Sequence, residues 1–243
     1  MPYSDTVTDP GVLKAIADMG LEGRRLYLPH MPYGGTYLLA AAIRSIGFDA
    51  WPTTDSDKHT LDLGGRVTSG DECYPQKIVM GDFLRMIEDE GRDNVAFLMP
   101  TANGPCRFGQ YLHLIKAKFQ ELGYDDVPVI TISSSDGYTS IGNYSQDLVR
   151  TAWRAVLAQD ILMKFLLKTR PYEREKGSTD AAYLKSLEET GEALSLQHVS
   201  QRERLDAVVK ALARAGERFR ALPADYDRSR PLIGVVGEIF CRH

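Results

Sequence analysis

Two cysteines lie in short, turn-like stretches of the sequence that are suited to chemistry. Cys73 belongs to the stretch GDECYP and Cys106 to the stretch GPCRFGQY, and each is followed by the pattern of an amphipathic helix. Each sulfur is therefore expected at the first turn of a helix, where free backbone N–H groups and the positive end of the helix dipole favour a thiolate. A thiolate binds metals and attacks electrophiles, so this pair is the first candidate for a functional site.

The residues alone leave several interpretations of these cysteines open. A free cysteine is often a small buried hydrophobic residue, and the pattern supports packing and ligation equally. The pair could also form the reversible disulfide of a thiol redox protein. The C-x₂-C spacing typical of structural zinc does not occur, whereas an iron–sulfur cluster accepts thiolates from distant loops. For such a cluster Cys241 is a candidate third ligand, with plain packing as its alternative.

Three further residues are weaker candidates for catalysis. Glu72 could tune a cluster or accept a proton, although carboxylates in loops are usually solvated. His30 is the only histidine near the predicted sheet edge, where a lone histidine is more often structural. Arg107 could steady a thiolate or a bound anion, or it could be a surface arginine. Residues 34–36, Gly-Gly-Thr, match neither a dinucleotide fingerprint nor a P-loop, so a plain helix start is favoured over a phosphate site.

The elements that must position these residues alternate between strand and helix. Apolar runs predict strands, 3.6-residue periodicity predicts helices, and residues 53–69, which carry His59, form a polar loop. We therefore expect an α/β protein with a Rossmann-like parallel sheet, whose carboxyl edge collects ligands. Residues 145–222 show only helical periodicity and predict a helical cover. Strands are predicted at 25–28, 48–51, 95–99, 127–132 and 231–237, the last one buried, and helices at 37–46, 75–90 and 108–122.

Composition and charge exclude several classes of partner. The net charge of -4 and the pI near 5.8 give no global attraction to nucleic acid or to an anionic membrane. No apolar run approaches the roughly 20 residues that span a bilayer, and residues 1–20 lack the basic-then-apolar order of a signal peptide. We therefore expect a cytoplasmic protein with no nucleic-acid or membrane partner, whose three cysteines are buried thiols, redox groups or ligands.

Several motifs together resemble one protein family. The stretch ECYP at 72–75 is followed by Gly-Asp at 81–82, and then by MPTANGPCRFGQY at 99–111. RPYE at 170–173 and GVVGEI at 234–239 complete the pattern. The combination resembles the 2-hydroxyacyl-CoA dehydratase superfamily, and most closely the dehydratase-like portion of its large activase-related proteins. The resemblance covers residues 24–242.

The resemblance implies an iron–sulfur protein of anaerobic metabolism. Rossmann-like domains of this family hold a [4Fe-4S] or double-cubane cluster through cysteines, and an ATP-hydrolysing activator protein reduces it. The electron passes to a 2-hydroxyacyl-CoA thioester, giving a ketyl radical from which the hydroxyl group leaves, and relatives reduce aromatic thioesters. Such a chain would be a dehydratase or reductase component that works with partner chains, as a homo- or hetero-oligomer.

The same resemblance assigns ligands and segments. Cys73 and Cys106 match the first two cluster ligands, while a further cysteine normally comes from a second α/β domain, which is expected to be absent here. A third ligand at Cys241 departs from the family pattern. The alternatives are a non-enzymatic cluster-carrying or scaffold module and a thiol redox protein. The predicted segments are an N-terminal arm (1–22), an α/β cluster-binding domain (23–136), a helical subdomain (137–228) and a final strand with the chain end (229–243).

Overall fold

Four parallel strands form the centre of the structure, a computed structural model that describes residues 10–31, 33–132, 145–227 and 231–237. Within this part of the chain the strand order is β2-β1-β3-β4, and every neighbouring pair is parallel. Each strand is followed by at least one helix before the next strand begins, as parallel pairing requires. The strands are β1 (Arg25–Leu28), β2 (Ala50–Pro52), β3 (Val95–Leu98) and β4 (Val129–Ile130).

Eight α-helices surround this sheet in the described residues, and two short 3₁₀ turns interrupt the connections. One 3₁₀ turn (Arg107–Gln110) directly precedes α5, and the other (Arg170–Tyr172) directly follows α6. The helices are α1 (Pro10–Asp18), α2 (Tyr33–Arg44), α3 (Lys58–Val67), α4 (Tyr74–Glu90), α5 (Tyr111–Glu121), α6 (Ser145–Thr169), α7 (Ser178–Ser195) and α8 (Gln201–Ala221).

Alternating side chains of the strands pack into two separate cores, one on each face of the sheet. Leu26 and Leu98 enter the core that contains α1, α2 and the three C-terminal helices α6 to α8. Tyr27 and Phe97 point to the opposite face, where Phe97 stacks on Phe83 of α4 with ring centroids 4.2 Å apart. Both faces are therefore buried, which explains the continuous apolar runs of β1 and β3.

The predicted α/β class with a parallel sheet and a helical cover is confirmed. The helical cover consists of α6, α7 and α8, which pack on α2 and on each other. Its helices contribute the fully buried Leu162, Leu187 and Leu194 to the shared core. None of the described helices is long and apolar enough to cross a membrane.

The prediction of a polar loop over residues 53–69 is wrong where α3 forms. Asp57 and Thr60 make a capping box: Thr60 N–H donates to Asp57 Oδ1 at 3.0 Å, and Asp57 N–H donates to Thr60 Oγ1 at 3.3 Å. The helix packs closely on α4 through Gly64 and Gly81. His59 therefore lies on a helix rather than in a loop.

The other element boundaries shift by a few residues, with one exception. Helix α2 begins at Tyr33, so residues 34–36 form its first turn, in agreement with the favoured helix start. The exception is the predicted buried strand at 231–237, which is wrong: these residues form no strand. Leu232 and Val236 are 103% and 89% exposed, because no described strand pairs with the segment. Cys241 lies outside the described residues.

Candidate functional site

The carboxyl edge of the sheet brings the two cysteine turns to one side of the molecule. The chain leaves β1 toward β2 on one side, whereas β3 and β4 lie on the other side, so the strand order reverses between β1 and β3. Open α/β sheets bind ligands at such a switch point. The helices that follow the strands begin at this edge. Cys73 is the N-cap residue of α4, and Cys106 is the N-cap residue of the 3₁₀ turn before α5.

A direct contact joins the two turns. The Nη1 of Arg107 donates a 2.8 Å hydrogen bond to the backbone carbonyl oxygen of Asp71. A cavity of about 190 Å³ lies between the turns, and Cys73, Gln76 and Arg107 contribute to its lining. The turns that carry the two cysteines therefore adjoin each other in the structure.

The two sulfur atoms differ in their surroundings. Cys73 is half-buried and packs against the core of α4 and α5. Cys106 is exposed and does not line the cavity beside Cys73. Neither side chain makes the hydrogen bond of a helix cap.

Glu72 closes the turn that precedes Cys73. Its carboxylate accepts hydrogen bonds from the backbone N–H groups of Ser69 at 3.0 Å and Gly70 at 2.9 Å, and from the Ser69 hydroxyl at 3.1 Å. These bonds, led by the one from the Ser69 backbone, lower the pKa of Glu72 to about 2. Glu72 is therefore ionised at neutral pH, where it shapes the turn and adds a fixed negative charge beside Cys73.

Gln76 is the functional candidate that the sequence did not indicate. It lies in the first turn of α4, is 1% exposed and lines the cavity beside Cys73. Neither its Nε2 nor its Oε1 has a hydrogen-bond partner in the described part of the chain. An unpaired buried polar group costs about 1–3 kcal/mol, so this amide lowers the stability of the fold as long as it has no partner. A glutamine near a helix start is ordinary in sequence, which gives no signal of its burial.

His30 is separated from the cysteines. It follows β1 at the same edge, with its side chain only 12% exposed and its Nδ1 3.4 Å from Asp55 Oδ1. Its backbone N–H donates to Thr53 Oγ1 at 3.0 Å. The residue does not line the cavity beside Cys73, so its contacts are those of a residue that organises the loop after β2.

Asp82 is a second buried polar residue that the sequence did not single out for chemistry. It is 2% exposed, and the Ser56 hydroxyl donates to its carboxylate at 2.9 Å. Burial raises the pKa of Asp82 to about 7, although Ser56 and Arg85 oppose the increase. Asp82 lies on α4 after Gln76, and its carboxyl is buried in the packing of this helix. Protonation of the Asp82 carboxyl is therefore linked to the stability of that packing.

A larger cavity lies at the switch point itself. It has a volume of about 370 Å³ and is lined by Leu28 and Leu98 at the ends of β1 and β3, by Val156 and Met163 of α6, and by Phe108. Phe108 belongs to the 3₁₀ turn whose Arg107 lines the cysteine cavity. Residues of this one 3₁₀ turn therefore line both cavities. The sequence predicts the edge but not this cavity, because α6 contributes from far along the chain.

The described residues fit part of the ligand set of an iron–sulfur cluster. Cys73 and Cys106 supply two thiols on adjoining helix starts, and Gln76 offers an unpaired buried amide beside the first of them. Within residues 10–31, 33–132, 145–227 and 231–237, no group of three or more His, Cys, Asp or Glu side chains is arranged to hold a metal ion. The two cysteines therefore do not by themselves make up the ligand set of a cluster in the described part of the chain.

Comparisons with family models, with curated proteins and with solved structures found no match to this chain.

Proposed function

We propose that this chain is an iron–sulfur protein of the 2-hydroxyacyl-CoA dehydratase type, with Cys73 and Cys106 as ligands of a [4Fe-4S] or double-cubane cluster. The observation that carries the proposal is that helix α4 and the 3₁₀ turn before α5, whose N-cap residues are Cys73 and Cys106, begin at one sheet edge and are joined by the Arg107–Asp71 hydrogen bond. When bound, the cluster would supply low-potential electrons to an acyl-CoA or a similar small substrate after ATP-driven activation by a partner protein.

The chain's own residues would prepare this site in three ways. Cys73 and Cys106 are the N-cap residues of two neighbouring elements, which places both thiols at the same edge of the sheet. The hydrogen bonds to Glu72 hold the turn before Cys73 in one conformation. Arg107 keeps the two turns together. The remaining ligands would come from Cys241 or from another chain, and in the second case the working form would be an oligomer in the reducing cytoplasm.

The cavity at the switch point supports a small, largely apolar substrate group. Its volume of about 370 Å³ lies in the range of about 300–1,000 Å³ that is typical of ligand sites. Phe108 and Met163 provide apolar surface that would exclude water from a bound acyl group. The 3₁₀ turn at Arg107–Gln110 lines this cavity through Phe108 and follows Cys106 directly, so a substrate group in the cavity would lie beside one of the proposed ligand turns.

Anaerobic purification followed by iron, sulfide and absorbance measurements tests the proposal. We expect a brown protein with about four irons per cubane, and we expect Cys73→Ser and Cys106→Ser each to lower the iron content. Cys241→Ser is the comparison variant: unchanged iron would remove Cys241 from the ligand set. A protein that stays colourless and iron-free after anaerobic reconstitution would contradict the proposal.

An iron-free result leads to the remaining alternatives. Mass spectrometry of oxidised and reduced protein then shows whether Cys73 and Cys106 form a disulfide, as a thiol redox protein requires. If Cys73 and Cys106 both stay free thiols under oxidising conditions, the thiol redox function is excluded and the scaffold hypothesis remains.

A further inference from the structure

The outer face of helix α6 carries a row of exposed apolar side chains. Successive members are four residues apart, and side chains at this spacing are neighbours on one face of a helix. The row consists of Val149, Trp153, Leu157 and Ile161, and Trp153 at its centre is 64% exposed. On α7 and α8, by contrast, exposed large apolar side chains stand singly, at Leu184 and Val209. A contiguous exposed apolar surface marks an interaction site.

The residues of this face are arranged symmetrically about Ala155, which is itself buried. Trp153 and Leu157 lie at equal distances before and after it, and so do Arg150 and Asp160. Both charged residues are exposed. In an antiparallel copy of α6 centred on the same alanine, Arg150 of each helix lies at the level of Asp160 of the other. Trp153 in the same way lies at the level of Leu157.

The charges on this face favour an antiparallel copy over a parallel one. In a parallel pair in register, Arg150 would meet Arg150 and Asp160 would meet Asp160, and like charges at such distances repel. Antiparallel pairing also brings Lys164 within one residue of the level of Asp147. Within its own helix, Arg150 approaches Asp147 only to 4.0 Å, so its guanidinium can turn to a carboxylate of the second copy.

We propose that the outer face of α6 is a homodimer interface, in which the α6 helices of two copies of this chain pack antiparallel about a two-fold axis near Ala155. Each contact of such an interface occurs twice. Side-chain rows at four-residue spacing interlock when two helices cross at about −50°. Trp153 supplies the largest apolar surface, and tryptophan is prominent among the residues that dominate binding energy. A second copy is the occupant because the face is complementary to itself.

The second copy lies beside the switch-point cavity. Val156 and Asp160 line this cavity from α6, and both are exposed beside the apolar row. The dimer interface therefore continues to the rim of the cavity. Pairing through α6 needs neither cysteine and no bound cluster, so it is independent of the proposed iron–sulfur function.

Sedimentation velocity of the full chain at about 1–100 μM protein measures the pairing. Wild type should change from monomer to dimer as its concentration rises, because association depends on concentration. Trp153→Glu places a charge at the centre of the interface and should weaken the dimer at least about a hundredfold. Leu184→Glu is the matched control, since it changes an exposed apolar residue of α7, and it should keep the wild-type dimer. Circular dichroism verifies that each variant is folded.

Charge reversal tests the antiparallel arrangement. Arg150→Glu and Asp160→Lys each bring like charges to the same level of the two helices, and each should weaken the dimer about tenfold. The variant that carries both changes has opposite charges again, with their positions exchanged. It should dimerise as tightly as wild type, which an interface with a different protein or at a different face would not explain.

Three outcomes would overturn the dimer. A wild-type chain that stays monomeric up to about 100 μM would show that a second copy does not cover α6. A dimer that Trp153→Glu weakens no more than Leu184→Glu does would lie at another surface. A double charge variant that dimerises as poorly as the single variants would exclude the antiparallel pairing about Ala155.

Discussion

Arg107 and Asp71 are joined by a 2.8 Å hydrogen bond from a guanidinium N–H to a backbone carbonyl oxygen, across 36 residues of sequence. Asp71 lies two residues before Cys73, and Arg107 follows Cys106 directly. This single bond therefore links the turns that carry both described cysteines. Backbone carbonyls do not titrate, so the link persists at every pH at which the fold is stable.

Replacing Arg107 by Met should loosen the cysteine turn without unfolding the protein. The bond is exposed, and an ordinary hydrogen bond contributes about 0.5–1.5 kcal/mol, so we expect the free energy of unfolding to fall by about 1 kcal/mol or less. Backbone amides of residues 69–73 should exchange hydrogen faster by mass spectrometry. Arg92→Met removes an arginine paired with Asp126 elsewhere and should leave this exchange unchanged. Equal exchange in wild type and Arg107→Met would refute the link.

Replacing Gly81 by Ala should destabilise the fold, because α3 and α4 cross there without room for a side chain. A Cβ at Gly81 would overlap the backbone carbonyl oxygen of Thr60. Overpacking costs about 1–3 kcal/mol, and because the clashing atom belongs to the backbone we expect the upper part of that range in urea unfolding.

Gly65→Ala is the matched control for that prediction. Gly65 lies in α3, and a Cβ there would contact nothing within 4 Å. Ala is favoured over Gly in a helix by about 0.8–1 kcal/mol, so this variant should be more stable than wild type. A loss of stability in both variants would show that the helix crossing is not the cause.

The parallel sheet and its carboxyl edge could be predicted because the sequence patterns that indicate them lie within short stretches of the chain. Buried parallel strands such as β1 and β3 have continuous apolar sequences, and Pro75 marks the start of α4 after Cys73. Helix α3 was harder to predict, because its capping box and its close contact with α4 are made by Asp, Thr and Gly residues. Taken one by one, these residue types are typical of loops. The segment 231–237 shows the opposite error, because an apolar sequence does not say whether a partner strand is present.

The candidate site could be predicted only in part for the same reason. Parallel topology places Cys73 and Cys106 at one edge, and the structure agrees. The burial of Gln76, the Arg107–Asp71 bond and the cavity beside Phe108 depend on contacts between distant segments. No local pattern reports such contacts.

Replacing Asp82 by Asn should flatten the dependence of stability on pH. Burial raises the pKa of Asp82 from 3.8 to about 7, so the folded state binds its proton more tightly than the unfolded state does. The stabilisation that this gives is complete below about pH 4, declines as pH rises from about 4 to about 7, and is lost above that value. The pKa difference corresponds to about 4 kcal/mol at most.

Urea unfolding at pH 5 and pH 8 measures this effect. Wild type should lose more stability than Asp82→Asn between the two values, by about 2–3 kcal/mol. Asp89→Asn changes a carboxylate of the same helix whose side chain is 52% exposed, and it should keep the wild-type slope. An Asp82→Asn slope equal to that of wild type would show that the buried carboxyl does not titrate in this range.

Replacing Val156 by Trp should block the switch-point cavity while sparing the cysteine site. Val156 lines this cavity from α6 and is 40% exposed, so a larger ring can extend into the cavity without displacing core side chains. We expect iron content to match wild type and the free energy of unfolding to change by no more than about 0.5 kcal/mol. The affinity for a short acyl-CoA such as butyryl-CoA, measured by isothermal titration calorimetry, should fall about tenfold, which is about 1.4 kcal/mol of binding free energy.

Val149→Trp is the control, since Val149 is 41% exposed on the same helix and does not line the cavity. If both tryptophan variants weakened binding equally, or neither did, the acyl group would bind somewhere other than the switch-point cavity.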